Sequence, residues 1–422
     1  MTEIPLHFEP PRGMRDFYPE DMAARNAVFA AWAEAARRFG FVQYDACVVE
    51  SLELLKRKSG EEIGDQLYTF KDKSDRDLAL RPEMTPTLAR MIAARHGMLS
   101  FPLKWFAIAQ CFRYERTTKG RKREHYQWNL DILGEESLSA EAEILACVFS
   151  ALTALGLNAQ DVRTHFSSRA LLADLLAKAG ISEEHHSAAF LALDKRGKIP
   201  DDEIVLLLRK AGLKQEDVAA AFRIMALNDL DDVRSFLGGE TPALAAAAEL
   251  PRRMADYGLD DYLCFDIGVV RGLGYYTGIV FEAYAAAHKM RAIFGGGRYD
   301  RLLGELGGNA LSGVGLGFGD VVIMDLLQAK GGMPSGPDRI DLAVGFMEEA
   351  QRPAAVRLAR VWREEGRRAD LALHCEKAKN FFGRVGKGGV TEAVFLGPDD
   401  LASGTARVKN LSGRTERQIP LK

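Results

Sequence analysis

Cysteine is scarce: five in 422 residues, at positions 47, 111, 147, 264 and 375, with no C-x-x-C pair. That argues against a disulfide framework and against the common zinc spacings, and points to reduced thiols in a cytosol. Net charge is nearly absent too. The 56 Lys and Arg against 59 Asp and Glu leave −3, so any hold on nucleic acid must rest on local basic patches. No apolar run approaches the roughly 18 residues of a membrane span, and the start MTEIPLHFEPPRGMRD has no apolar signal core. A cytoplasmic protein is expected. What is present, 47% hydrophobic and 27% charged residues, suits a globular chain of two or three domains.

The stretch Cys111 to Leu133, CFRYERTTKGRKREHYQWNLDIL, reads as strand, loop, strand. Phe112, Tyr114, Tyr126, Trp128, Leu130 and Ile132 alternate with polar residues at the period of a pleated strand. Thr117-Thr118-Lys119-Gly120 is a polar turn. Arg116, Lys119, Arg121, Lys122 and Arg123 place five cations in eight residues. Arg113, Glu115, Gln127, Asn129 and Asp131 share one alternation, a face too polar for a core. It reads either as the wet side of an antiparallel sheet or as the floor of a site for a charged ligand.

Upstream, the pattern from Asp21 to Arg38 predicts a helix ended by Gly40, then a strand over Phe41 to Glu50. Tyr68–Phe70 and Leu78–Arg81 predict a hairpin. Arg81-Pro82-Glu83-Met84-Thr85-Pro86 follows, with Thr85 closing an extended segment before a helix from Thr87 to Arg95. Downstream come a helix over Ala140–Ala154 and a strand over Val162–Phe166. From Ser168 to about Asp256 the texture turns to Ala, Leu and charge at helical spacing, an inserted helical domain whose cations read as solvated surface. Two strands flanking a glycine-rich bend follow in Phe265–Glu282, then FGGGRYDRLL from Phe294, then GVGLGFGD from Gly313 leading into an apolar helix. KGGMPSGP, from Lys330, reads as a linker. Beyond it, strands at 340–345, 369–373 and 392–396 alternate with helices at 353–365 and 377–387, a small α/β unit with Lys377, Lys379, Arg384 and Lys387 as basic character.

These blocks resemble, in order, the histidyl-tRNA synthetases among the class II aminoacyl-tRNA synthetases. F-R-x-E-R, a basic loop, then H-x-Q-x-x-x-D is similar to their motif 2. Arg81 to Thr85 is similar to R-P-E-x-T, Arg271 to Glu282 to R-G-L-x-Y-Y-T-G-x-x-F-E, and Gly296 to Asp300 to G-G-R-Y-D. The resemblance implies an α+β fold: a class II antiparallel sheet flanked by helices in a catalytic domain over 1–329, interrupted by the helical insertion 168–256, a linker 330–337, and an anticodon-binding-like α/β domain over 338–422. It implies histidine, ATP with Mg2+, and tRNA as partners, a homodimer, and no resident metal. By the same resemblance Arg113 and Arg271 hold the α-phosphate, Arg271 also the histidine carboxylate, and Glu115 and Arg121 the rest of the ATP. Glu83, Thr85, Gln127 and Asp131 hold the amino acid, and Tyr275, Tyr276 and Tyr299 shape the imidazole pocket. Thr117, Thr118, Lys119, Lys122 and Arg123 face the tRNA.

The chain departs from the pattern at Cys47, where motif 1 has proline; at Gly274, where the family usually has Asp; and at Asp320, which by simple alignment takes the place of the motif 3 arginine. These departures suggest a divergent branch, one that charges tRNA without the extra 5′ guanosine most of the family requires. Two rival expectations stand beside ligation: a histidine-sensing regulatory subunit of ATP phosphoribosyltransferase, and a tRNA-sensing module that binds without charging.

Overall fold

A computed structural model describes residues 8–59, 66–196, 199–227, 229–270, 276–288, 290–301, 304, 310–333, 340–413 and 415–421. Two compact units divide the chain: Met1–Phe17 with Arg25–Met333, and Tyr18–Ala24 with Pro334–Lys422.

Helix α1 spans Pro19–Arg38, with Glu20 and Asp21 in its first turn and Arg37 and Arg38 in its last, the order that complements the helix dipole. It stops at Gly40, whose φ of +77° carries no Cβ penalty. The expected strand over Phe41 to Glu50 is two short strands in two sheets. β1 (Val42–Gln43) runs parallel to a later strand, and β2 (Val49–Ser51) pairs antiparallel with Leu78, Ala79 and Leu80. The physical reason is buried Arg81, which donates to Ala46 O at 2.8 Å and approaches Asp45 Oδ1 at 3.3 Å. The chain bends around that guanidinium to give it acceptors, since a buried cation left unpaired is costly. Helix α2 (Leu52–Ser59) follows. Then β3 (Thr69–Lys71) and β4 (Asp77–Leu80) form the expected hairpin, and with β2 a three-stranded sheet. Helix α3 spans Thr85–Arg95 with Pro86 in its first turn, so Thr85 starts the helix rather than closing an extended segment.

The larger sheet has eight strands, β1-β5-β6-β11-β10-β9-β7-β8. These are β5 (Leu103–Phe112), β6 (Glu124–Leu133), β7 (Val162–Ser168), β8 (Leu263–Phe265), β9 (Ile279–Ala285), β10 (Phe294–Arg298) and β11 (Gly313–Gly319). β5 and β6 pair over ten residues from Leu103↔Leu133 to Phe112↔Glu124. The first strand therefore ends before Arg113. Beyond it, Tyr114 N–H turns to Gln66 O and Glu115 N–H to Arg113 O, both at 2.8 Å. β8 and β9 do not pair with each other: β7 lies between them, antiparallel to β9 and parallel to β8.

One face of this sheet is core. Trp128, Leu130, Ile132, Phe281, Val314, Leu316 and Phe318 pack against Val28 and Trp32 of α1, helix α4 (Ser139–Ala154), and a helix that follows β11. Trp32 stacks on Trp128 with ring centroids 5.7 Å apart. Between β7 and β8 run α5 (Arg169–Lys178), α6 (His186–Leu193), α7 (Asp201–Lys210), α8 (Gln215–Ile224), α9 (Leu230–Leu237) and α10 (Pro242–Asp256) around their own apolar cluster, built on Leu171, Leu175, Ile204, Leu208, Ile224 and Leu244. The helix after β11 is α11 (Asp320–Ala329).

In the second unit β12 (Leu342–Phe346), β13 (Ala369–Leu371) and β14 (Glu392–Leu396) are parallel neighbours, with α12 (Arg352–Glu364) and α13 (Ala378–Lys387) in the crossovers. After α14 (Pro398–Ser403), β15 (Thr405–Asn410) and β16 (Glu416–Pro420) extend the sheet antiparallel.

Candidate active site

The other face of the eight-stranded sheet carries a cavity of about 640 Å3, within the range of small-ligand sites. Its floor follows from strand alternation. Gln127, Asn129 and Asp131 of β6 point into it while Trp128 and Leu130 point to the core. In register with them on β11 stand glycines: Gly315 opposite Asp131 and Gly317 opposite Asn129. A Cβ on Gly315 would lie 2.7 Å from Tyr299 Cε1, and one on Gly317 2.7 Å from Gln127 Nε2. The glycines are thus bare so that longer side chains can lie across them.

The two ends of the cavity differ. Six residues separate His125 from Asp131, roughly 20 Å of strand. Toward Asp131 stand Tyr276 and Tyr299, and the Tyr299 hydroxyl donates to Asp131 Oδ1. Glu83 and Thr85 line the same cavity, Glu83 following the Pro82 carbonyl that Arg113 holds. Toward His125 a smaller lobe of about 180 Å3 is lined by Arg113, Glu115, Arg121, Lys122 and His125, without Glu83, Asp131 or Tyr299. Arg113 donates through Nε to Pro82 O at 3.0 Å, and Arg121 pairs with Glu115. Burial lowers the Arg121 pKa against the pull of Glu115, and the neighbouring Arg291 and Arg113 lower it further. Burial, then the charges of Arg113, Arg15 and Arg121, push His125 down to about 3, so its imidazole is neutral. The Asp131 end can therefore take a ring with N–H donors, the His125 end a polyanion, and Glu83 an ammonium.

The cavity brings together Glu83, Thr85, Arg113, Arg121, Gln127, Asp131, Tyr276 and Tyr299, with Glu115 and Lys122 in its smaller lobe. Arg271 and Tyr275 lie outside the described residues. Thr118, Lys119 and Lys122 of the loop are exposed. Thr117 packs beside Gly13, and Arg123 folds back to put its guanidinium 3.8 Å from the Tyr114 ring. Asp320 does not face the cavity. It is buried, accepts from Tyr126 N–H at 2.9 Å, and lies 3.0 Å from Arg15 Nη2. From that helical turn Val322 lines the cavity, joined by Val321 in the smaller lobe. Arg298 of the G-G-R-Y-D block also turns away, holding buried Glu141 with Nε–Oε1 2.7 Å and Nη2–Oε2 2.6 Å. Sequence reasoning missed Glu282 and Tyr284, which the alternation of β9 could have shown, and Arg291 and Asp194, for which no local pattern speaks.

The family model described as histidyl-tRNA synthetase matches residues 13–319. The chain belongs to the histidyl-tRNA synthetase family. It is 41% identical to the chloroplastic/mitochondrial histidine–tRNA ligase of Arabidopsis thaliana, over 100% of this chain and 87% of that protein. It is 40% identical to the histidine–tRNA ligase of Opitutus terrae, over 97% and 95%. In fold it is similar to a histidyl-tRNA synthetase from a Nostoc species, with TM-score 0.81 and 22% identity over 99% of this chain and 97% of that one. The α+β class of the synthetase fold holds. No helix among the described residues is long and apolar enough to cross a membrane.

Proposed function

We propose that this chain ligates histidine to its tRNA through a histidyl adenylate formed from ATP. The observation that carries the reading is one cavity that joins carboxylates and tyrosines, Glu83, Asp131, Tyr276 and Tyr299, to a lobe lined by Arg113, Arg121 and Lys122, on a chain of this family. Glu83 and Thr85 take the α-ammonium, because a carboxylate makes charge-assisted hydrogen bonds with it. Gln127, Asp131, Tyr276 and Tyr299 take the imidazole. Arg113 holds the α-phosphate, together with Arg271 by the sequence resemblance, and Glu115 and Arg121 grip the rest of the nucleotide. Mg2+ arrives with the ATP, and Glu115 is the carboxylate at that end that suits it.

In the first step a carboxylate oxygen of histidine attacks the α-phosphorus and pyrophosphate leaves. In the second the terminal ribose hydroxyl of tRNA attacks the acyl carbon and AMP leaves. Both steps need positioning and stabilisation of developing negative charge more than acid–base chemistry. The exposed loop cations contact acceptor-stem phosphates, the second unit serves the anticodon, and the enzyme works as a cytoplasmic homodimer. Histidine-dependent exchange of pyrophosphate into ATP, followed by aminoacylation of tRNA, tests the reading. Absence of exchange favours the regulatory-subunit rival, and tRNA binding without either activity favours the sensing module. Within the assay, Gln127→Ala is expected to raise the KM for histidine far more than that for ATP. Equal effects would remove Gln127 from the amino-acid end.

A further inference from the structure

The polyanion end of the cavity holds a third guanidinium that no motif covers. Arg291 sits in the segment joining β9 to β10, three residues before Phe294, and lines the cavity with Arg113 and Arg121. Its aliphatic stem and Val322 flank Gly120 at the tip of the basic loop: a Cβ on Gly120 would be 3.5 Å from both Arg291 Cγ and Val322 Cγ2. Gly120 has φ +75°. A glycine is therefore required there for conformation, and its missing side chain leaves the loop tip beside the arginine stem. Arg291 and Arg113 both lie close enough to Arg121 to lower its pKa, after burial and against Glu115. Of their surroundings, Glu115 is engaged by Arg121 and Pro82 O by Arg113. Arg291 has no hydrogen bond or ion pair among the described residues. Glu282, opposite Gly295, is a second carboxylate of the lining and accepts from the Tyr284 hydroxyl. Three guanidiniums gathered here, with Lys122 beside them in the smaller lobe, still favour an arriving anion. The first turn of α11, meanwhile, offers this end only the apolar Val321 and Val322.

We propose that Arg291 is a nucleotide-binding residue that grips the β- and γ-phosphates of ATP, completing a three-arginine cradle and supplying from the β9–β10 connection the cation that the turn after β11 lacks. The proposal rests on the ligase reading for the identity of the polyphosphate. A guanidinium suits the task because it is planar, always charged and bidentate toward phosphate oxygens. Its side chain is exposed within the lining, within reach of an arriving ligand. Because it is not packed in the core, its replacement leaves the fold intact.

The test uses the full-length protein in histidine-dependent pyrophosphate exchange, with Arg291→Ala and Arg291→Lys. Loss of charge-assisted hydrogen bonds predicts a KM for ATP raised about 10- to 100-fold in Arg291→Ala, with the KM for histidine essentially unmoved and Arg291→Lys in between. Calorimetric binding of inorganic tripolyphosphate should weaken in parallel, while adenosine binding should not change. A KM for ATP that stays near wild type, or adenosine binding that falls as far as ATP binding, overturns the proposal. If wild type itself shows no exchange, the ligase reading fails. Tripolyphosphate binding by wild type and Arg291→Ala then still decides whether Arg291 grips a polyphosphate.

Discussion

Arg15 places one guanidinium between two buried carboxylates: its Nε donates to Glu124 Oε1 at 2.7 Å and its Nη2 lies 3.0 Å from Asp320 Oδ2. The contact ties the P-R-G-M-R-D segment to the ends of β6 and α11. Removing the shared cation leaves two acids facing each other in a poor solvent, so Arg15→Ala is expected to cost about 3 kcal/mol by denaturant unfolding. The pH dependence has a definite sign. Burial raises the Asp320 pKa against the opposing effects of Arg15 and the Tyr126 N–H. An acid raised in the folded state weakens stability as pH climbs from the ordinary carboxylate range through the folded value. Without Arg15 that value rises further. The deficit of Arg15→Ala should therefore be larger near pH 8 than near about pH 5, and a deficit that grows on acidification would count against the arrangement.

The bare glycines of β11 make a graded prediction. Gly315→Ala sets a methyl against Tyr299 and Asp131, which are buried and joined to each other. Gly317→Ala meets only the movable amide of Gln127. Overpacking typically costs about 1–3 kcal/mol when neighbours cannot yield. Gly315→Ala should raise the KM for histidine by more than tenfold, roughly what 1.4 kcal/mol corresponds to, and Gly317→Ala by less. Steady-state kinetics with histidine varied at saturating ATP decides between this order and its reverse.

His125 offers a second pH test. Its pKa, held down to about 3 by burial and then by Arg113, Arg15 and Arg121, lies below the ordinary value of about 6.5. A base depressed in the folded state lends stability above its unfolded pKa and withdraws it as pH falls toward the folded one. His125→Phe should flatten the loss of stability on acidification through that window. Wild-type KM for ATP should show no inflection from this residue between about pH 6 and 8. An unchanged acid limb in the variant would show that His125 titrates normally.

For the loop, Lys119→Ala and Lys122→Ala should weaken tRNA binding and lower the steepness of its salt dependence by about one unit each. Arg123, stacked on Tyr114 and donating to Glu115 O, should act instead by loosening the loop. The divergent-branch reading adds that a transcript without the extra 5′ guanosine is charged well. Strong preference for the longer transcript would sink that reading and leave the ligase reading standing.

The β5–β6 hairpin and its polar face were legible because alternation is local: Gln127 and Asp131 share a face whatever surrounds them. The limits of that logic show at Asp320. Simple alignment sets it in the place of the motif 3 arginine, with no sign of what an acid would do there; the side chain is spent on Arg15, some three hundred residues away in sequence. Charge and spacing say nothing of such a partner. Arg291 was invisible for the complementary reason, since a lone cation in a connecting segment has no period to betray it. The closing strands β15 and β16 were missed because their alternation is weak, Ala406 and Val408 alone being buried inside a polar run.

β7 and β8 lie side by side and parallel, so the chain must leave one end of the sheet and re-enter at the other. Parallel neighbours cannot be joined by a tight turn and need a crossover of about a dozen residues or more. The six helices from Arg169 to Asp256 are that crossover, enlarged. Excising them and sealing the gap with a short turn would strand β8 at the wrong end of the sheet. A shortened enzyme is conceivable only with a replacement bridge long enough to traverse the sheet, and it would have to do without Asp194, which the excised helices contribute to the cavity wall.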